Sequence, residues 1–112
     1  MQTSNFIFEN ETAWEILGEG VRRQILGYDE KNMMVKVEFQ AGAIGYVHNH
    51  PHVQTTYVAR GVFEFRIGEE TKVVKTGDGL YMEPNVLHGV KCIEEGFLIE
   101  TFTPYREDFL KK

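Results

Sequence analysis

The chain has 112 residues, of which 42% are apolar and 26% are charged, a composition typical of a folded globular domain. Its 17 acidic and 12 basic residues give a net charge of −5. Nucleic-acid binding needs clustered Lys and Arg, and no such cluster is present, so a nucleic-acid partner is not expected. The length predicts a single domain, residues 1–112.

Short segments of alternating apolar and polar residues, separated by turn signals, predict a mostly β chain. In chain order, strands are expected at 21–28, 33–40, 62–67, 71–75, 80–82, 90–93 and 97–103. The turn at 68–70 joins the third and fourth of these as a hairpin, and a short helical turn is expected at 106–110. Many short strands with little helix favour a β-sandwich or barrel.

No segment reaches the roughly 20 apolar residues that cross a bilayer, so a membrane partner is not expected. Residues 1–10 have neither the basic nor the apolar part of a signal peptide, which predicts a cytoplasmic location. The single cysteine, Cys92, cannot form an intramolecular disulfide and is expected to be a small buried apolar residue.

Three of the four histidines lie within five residues, and Gln54 follows them. Because side chains on a strand alternate between faces, His48, His50 and Gln54 would point the same way. Two imidazoles and an amide oxygen suit a borderline divalent metal, and His88, much later in the chain, can complete the set. The alternative is that surface histidines cluster by chance near a proline turn.

His52 is not expected to be a metal ligand. Strict alternation would point it inward as well, but Pro51 cannot donate to a strand ladder and predicts a bulge there. His52 is therefore expected beside the metal site or at the surface.

The spacing of these residues resembles the two cupin motifs. The first is Gly42-x5-His48-x-His50-x3-Gln54-x6-Gly61, with Gln where Glu is commoner, and the second runs from Gly77-Asp78 to Glu83-Pro84-Asn85-Val86-Leu87-His88. In the second, Glu83 replaces the usual proline and Asn85 the usual glycine, although Asn tolerates the left-handed backbone that glycine provides. The resemblance implies an all-β fold, a cupin-type double-stranded β-helix (jelly-roll barrel), with one divalent metal ion on His48, His50, Gln54 and His88.

Four uncharged ligands would leave that ion its full double positive charge. Such a site attracts anionic substrates and acts as a strong Lewis acid. Hydrolytic, isomerising or binding functions are therefore favoured over oxygenation. The donor set suits zinc, nickel, iron or manganese and does not choose among them.

Glu100 is the candidate proton-transfer residue. If the even positions of 97–102 face the barrel interior, Glu100 lies between Leu98 and Phe102 near the metal and can act as a general acid or base. The alternative places Phe97 and Ile99 in the core and Glu100 in solvent.

Arg106 follows this strand, at the expected rim of the barrel. Its guanidinium can grip a substrate carboxylate through two parallel hydrogen bonds. The alternative is an ordinary surface pair with Glu107 or Asp108.

Three segments, 48–54, 85–89 and 100–109, resemble the pectin-degradation cupins of the KdgF type, as do 23–28, 56–58 and 63–65. The resemblance implies an isomerase-like enzyme that converts 4,5-unsaturated uronates from pectin or alginate to the linear keto form. It places the catalytic acidic residue at Glu100, an aromatic at Phe102 and the arginine at Arg106. It also implies a small anionic sugar as substrate, and a homodimer to which residues 1–20 can contribute.

One departure concerns Glu100, since the better-known members of the family carry Asp there. The extra methylene moves the carboxylate by about 1.5 Å, a displacement large enough to lower the rate of a reaction that depends on a precisely placed group. Two other functions stay open: a sugar-binding metal cupin without turnover, and a metal-dependent oxygenase.

Overall fold

The structure, a computed structural model, describes residues 1–111. A 3-10 turn at Glu9–Glu11 precedes the strands, and helix α1 spans Glu107–Leu110. The strands are β1 (Glu15–Gly18), β2 (Val21–Asp29), β3 (Asn32–Phe39), β4 (Ile44–His48), β5 (Val53–Ile67), β6 (Glu70–Lys75), β7 (Gly79–Met82) and β8 (His88–Thr103). Across this part of the chain, no helix has the length and apolar character needed to span a membrane.

All of these strands belong to one antiparallel sheet. Its order is β1-β2-β3-β8-β5-β6, with β4 also paired to β8 and β7 to β5. The two longest strands, β5 and β8, pair along their length, from Val53 opposite Thr103 to Ile67 opposite His88. The prediction of an all-β chain is confirmed, and the β5–β8 pair joins distant parts of the sequence.

Two features of the strands differ from the prediction. Segments 90–93 and 97–103 belong to one strand, β8, and 62–67 is only the second half of β5. Both strands continue through a region of shifted register at 58–63, where Gly61 has φ +102° and a side chain on it would meet the carbonyl oxygen of Glu94. Strands β1 and β4 were missed because most of their residues are exposed and show no clear alternation.

The barrel interior follows from the alternation in β3. Its inward residues lie opposite β8, with Met33 opposite Phe102, Val35 opposite Glu100 and Val37 opposite Leu98. Residues directly opposite each other in an antiparallel pair share a face, so Glu100 points to the same side as the core. Cys92 is fully buried, as predicted.

The N-terminal segment covers the outer face of β2. The amide nitrogen of Gln24, which is fully buried, donates to the carbonyl oxygens of Glu9 and Thr12 at 3.0 and 2.9 Å. Strand β1 then forms one end of the sheet and leaves the side chain of Ile16 76% exposed.

Candidate metal centre

The structure brings together the four side chains predicted to bind metal. His48 ends β4, Gln54 lies near the start of β5, and His88 begins β8 directly opposite His48. The prediction assumed one continuous strand from 48 to 54, but β4 ends at His48, and His50 reaches the site from the connection at 49–52. One ring nitrogen from each of His48, His50 and His88 lies within 4.8 Å of the other two.

A backbone carbonyl group orients each of these three imidazoles. The Nδ1 atom of His48 lies 2.9 Å from the carbonyl oxygen of Tyr46. The Nδ1 atom of His50 lies 3.2 Å from that of His52, and the Nδ1 atom of His88 lies 2.9 Å from that of Val86. Because a carbonyl oxygen can only accept, each contact requires the proton on Nδ1. The Nε2 lone pair of each ring is then available to a metal, the usual arrangement in metal-binding histidines.

The contact between His50 and Gln54 fits a bound cation. Nε2 of His50 lies 2.9 Å from Oε1 of Gln54, whose amide nitrogen donates to Thr56 Oγ1 at 3.0 Å. Burial lowers the pKa of His50 to about 4, so the ring is neutral at neutral pH and has one proton for two carbonyl acceptors, those of His52 and Gln54. A cation held by Nε2 and Oε1 would satisfy both atoms and leave the proton to the contact with His52.

His88 gives a second sign that the site fits a metal. Within residues 1–111, its Nε2 atom is buried and has no hydrogen-bond partner. An unpaired buried polar atom costs about 1–3 kcal/mol, which a metal bond would recover. Burial also lowers the pKa of His88, which keeps the ring neutral and able to coordinate.

A cavity of about 620 Å³ borders the histidine cluster and contains the predicted catalytic residues. Its lining includes His48, Gln54 and His88 together with Glu100, Phe102 and Arg106. Glu100 is half-buried and lines this space, so the alternative that turned it toward solvent is wrong. Burial raises the pKa of Glu100 to about 7, and the positive charges of Arg106 and Arg23 act in the opposite direction.

Arg106 both lines the cavity, where it can bind a substrate carboxylate, and forms the pair with Asp108 that was the alternative considered from the sequence. Its side chain lines the cavity, and its Nε and Nη2 atoms donate to the two carboxylate oxygens of Asp108 at 3.0 and 2.9 Å. This pairing lowers the pKa of Asp108. The guanidinium carbon also lies 5.0 Å from the ring centroid of Phe102 and 4.1 Å from that of Phe109.

Phe102 and His52 lie beside the histidine cluster. The Phe102 ring is 1% exposed and packs edge-on against His50, with the ring centroids 5.7 Å apart. The His52 ring packs against both of these rings, and its carbonyl group holds His50. His52 lies outside the group of three histidines, in the position expected for it.

Two residues that line the cavity, Arg23 and Phe109, were missed by sequence reasoning. The signal for Arg23 was present in β2, where Val21 and Ile25 lie opposite the core residues Phe39 and Val35. The same alternation turns Arg23 inward. Phe109 gave no such signal, because its position depends on how the chain turns after β8.

Comparisons with known proteins give consistent results. The model of the cupin domain matches residues 35–99. The pectin degradation protein KdgF of Dickeya dadantii (strain 3937) is 47% identical over 107 residues, which cover 94% of this chain and 97% of that protein. Among solved structures, an RmlC-like cupin from Shewanella frigidimarina NCIMB 400 is 44% identical with a TM-score of 0.93, covering 96% of this chain and 97% of that one. The KdgF structure from Halomonas sp. is 31% identical with a TM-score of 0.90, covering 96% and 99%.

Proposed function

This chain belongs to the cupin family as a KdgF-like member, and from that premise we propose that it is an enzyme that converts 4,5-unsaturated uronate monosaccharides to their linear keto form. The observation that carries the proposal is the composition of the cavity. A histidine cluster suited to metal, an inward carboxyl group with a raised pKa and a guanidinium line one space. The relationship to pectin degradation proteins supports uronates from pectin or alginate as the substrates.

The proposed reaction moves one proton and changes no oxidation state. The hydroxyl group of the cyclic hemiacetal loses its proton, the ring C–O bond breaks, and an aldehyde forms. The ring oxygen leaves as an enolate, which gains that proton at carbon and becomes a ketone. An acid–base group beside the sugar is therefore the main requirement on the protein.

In this proposal His48, His50, Gln54 and His88 hold one divalent ion, zinc, nickel, iron or manganese. When bound there, the ion supplies Lewis acidity that favours loss of the hydroxyl proton. The protein supplies orientation, since backbone carbonyl groups fix the three imidazole rings. Because all four side chains are neutral, the centre keeps its positive charge and favours an anionic sugar.

Glu100 would accept the hydroxyl proton and return it to carbon. A group that both takes and gives a proton works best when its pKa is near the working pH. The pKa of about 7 in the buried setting of Glu100 supports this role.

Arg106 would bind the uronate carboxylate, and Phe102 would pack against the sugar ring. Asp108 occupies the Nε–Nη2 edge of Arg106, so the terminal edge, with one N–H on each of Nη1 and Nη2, is left for the substrate carboxylate. Asp108 would then orient the guanidinium, as second carboxylates often do for binding arginines.

The direct test is an absorbance assay with the unsaturated monosaccharide released by a pectate lyase. We expect loss of the ultraviolet absorbance of the conjugated double bond, abolished by a chelator and restored by added metal. Ligand binding without absorbance loss would instead indicate a sugar-binding cupin. Oxygen consumption with ferrous iron would indicate an oxygenase, and either result would contradict the proposal.

The proposal includes a homodimer formed through residues 1–20. Phe6, Phe8 and Ile16 are 78%, 56% and 76% exposed, and the rings of Phe6 and Phe8 stack on each other. Exposed apolar groups of this kind are typical of interaction surfaces. We expect light scattering to give the dimer mass for the wild type and a monomer for Phe6→Ser/Ile16→Ser, whereas an unchanged dimer would exclude this surface.

A further inference from the structure

Arg23 is an arginine inside the barrel. It lies on β2 opposite the core residue Val37, and only 13% of its side chain is exposed. A buried charge costs free energy unless other groups pair with it, so an inward arginine calls for a partner. Its neighbour Arg22, on the opposite face of the strand, is 41% exposed and pairs with Glu38 at 2.8 Å.

The protein supplies Arg23 with only part of that partner. Its Nε atom donates to Glu15 at 3.3 Å, a long contact. Among residues 1–111, neither Nη1 nor Nη2 has a protein acceptor within hydrogen-bond distance. The planar edge of the guanidinium, which binds carboxylates through two parallel hydrogen bonds, is thus unused by the protein.

Arg23 belongs to the same cavity as the histidine cluster. Arg23 lines that cavity, and its guanidinium carbon lies 3.6 Å from the ring centroid of Phe109. Arg106 contacts the same ring at 4.1 Å. Phe109 therefore holds two guanidinium groups at one cavity wall, and cation–π attraction offsets part of the repulsion between them.

The two arginines differ in what they can offer a ligand. Asp108 pairs with Arg106 through two hydrogen bonds, at 3.0 and 2.9 Å, and compensates its charge. Arg23 has only the 3.3 Å contact of Nε with Glu15, and all the N–H donors of its two terminal nitrogens are left. A planar carboxylate that enters the cavity therefore finds at Arg23 the guanidinium that the protein itself pairs less completely.

We propose that Arg23 is a carboxylate-binding residue of this cavity and shares with Arg106 the recognition of acidic monosaccharides. This rests on the proposed function only in taking an acidic sugar as the ligand. Glu15 contacts Arg23 only at Nε, through a long hydrogen bond, so the two terminal nitrogens stay available to the ligand. An acidic sugar should accordingly bind far better than its neutral counterpart.

The test measures binding of galacturonate and of galactose by calorimetry, with the protein as purified and again after chelator treatment. We expect Arg23→Gln to weaken galacturonate binding about 10- to 100-fold, the effect of losing charge-assisted hydrogen bonds, and to leave galactose binding unchanged. Arg23→Lys should recover only part of the affinity, because it restores the charge without the planar fork. Melting temperatures of all variants report whether they fold.

Glu15→Gln is the matched control, since it removes the same ion pair but keeps the guanidinium. We expect it to change galacturonate affinity less than about threefold. Equal losses in Arg23→Gln and Glu15→Gln would make Arg23 a structural partner of Glu15 and overturn the proposal, as would wild-type affinity in Arg23→Gln.

Turnover of the unsaturated uronate separates this inference from the proposed function. In an active enzyme, we expect Arg23→Gln to raise KM about 10- to 100-fold, the signature of lost substrate binding. Any change in kcat reports separately on the Arg23 charge, which lowers the pKa of Glu100. An unchanged KM would overturn the role of Arg23 while the proposed reaction stands. A chain without turnover whose galacturonate binding still depends on Arg23 would contradict the reaction and support the inference.

Discussion

Three of the four residues of the metal centre are buried to nearly the same degree as the apolar core but are held in different ways. His50, Gln54 and His88 are 6%, 4% and 4% exposed, whereas His48 is exposed, and Val58, Phe63 and Leu98 are fully buried. The core side chains pack against one another, whereas each imidazole of the cluster is oriented by one contact of its Nδ1 atom with a backbone carbonyl group. Burial alone therefore does not indicate what a residue does, and substitutions in the two regions should fail in different ways.

The largest expected effect is the loss of the metal. His50→Ala should lower metal affinity at least about 100-fold and abolish turnover, because it removes one of the clustered ring nitrogens. His52→Ala is the matched control and should retain metal, measured by elemental analysis of the purified protein. Equal metal loss in both variants would make His52 a ligand.

A smaller loss of turnover is expected when the histidine cluster is left intact and the proton-transfer group, Glu100, is removed. Glu100→Gln should reduce turnover about 100- to 10,000-fold with normal metal content, the range typical of general acid–base catalysis. Glu64→Gln, on the exposed face of β5, should keep the wild-type rate. Wild-type turnover in Glu100→Gln would remove Glu100 from the mechanism.

Substitutions in the apolar core should lower the stability of the fold and leave the metal content unchanged. Leu98→Ala leaves a cavity in the packed interior and should lower the free energy of unfolding by about 2–5 kcal/mol, measured by denaturant titration. Metal content should stay normal. Ile99→Ala, on the other face of the same strand, should cost less, and metal loss in Leu98→Ala would mean that the two regions are not separable.

The smallest expected effect is the pH dependence of folding stability that Glu100 causes. In the metal-free protein, folding raises the pKa of Glu100 from 4.5 to about 7, so between these values the folded chain holds a proton that the unfolded chain releases. This contribution to stability is complete below pH 4.5 and is lost as the pH rises through 7, by at most about 3 kcal/mol. The wild type should therefore lose stability relative to Glu100→Gln across this range.

Denaturant titrations of both chelator-treated proteins at several pH values measure that difference. The buried histidines have the opposite pH dependence, but both proteins contain them, so their contribution cancels. Parallel stability curves would show that Glu100 titrates as an ordinary solvated carboxyl group.

The sequence predicted the strands that alternate strongly, but alternation left two sides open for Glu100, and only the resemblance to cupins favoured the interior. It also predicted the left-handed backbone at Asn85, which has φ +67°. The four metal-site residues were found because their spacing follows a known motif. In each case, the order and spacing of residues along the chain carry the information.

The parts that could not be predicted depend on contacts between distant segments. The 49–52 connection positions His50 because the carbonyl oxygen of His52 accepts a hydrogen bond from the His50 ring. Alternation along a strand does not describe such a contact. The alternation of β2 indicates that Arg23 points inward, but its contact with Phe109 joins β2 to the last helix. Such a contact leaves no local pattern, so the placement of Arg23 and Arg106 against one ring became visible only in the folded chain.

The pairing of β5 with β8 has a consequence for how this protein can change over time. It sets Gln54 opposite Phe102, Thr56 opposite Glu100 and Val58 opposite Leu98, so one alignment positions both the reactive groups and the packing. Because neighbouring residues on a strand face opposite sides, inserting one residue near Phe97 would turn Glu100 outward and Ile99 inward. Evolution can exchange side chains along β8 one at a time, but it cannot change the spacing between them without losing the reactive groups and the packing together.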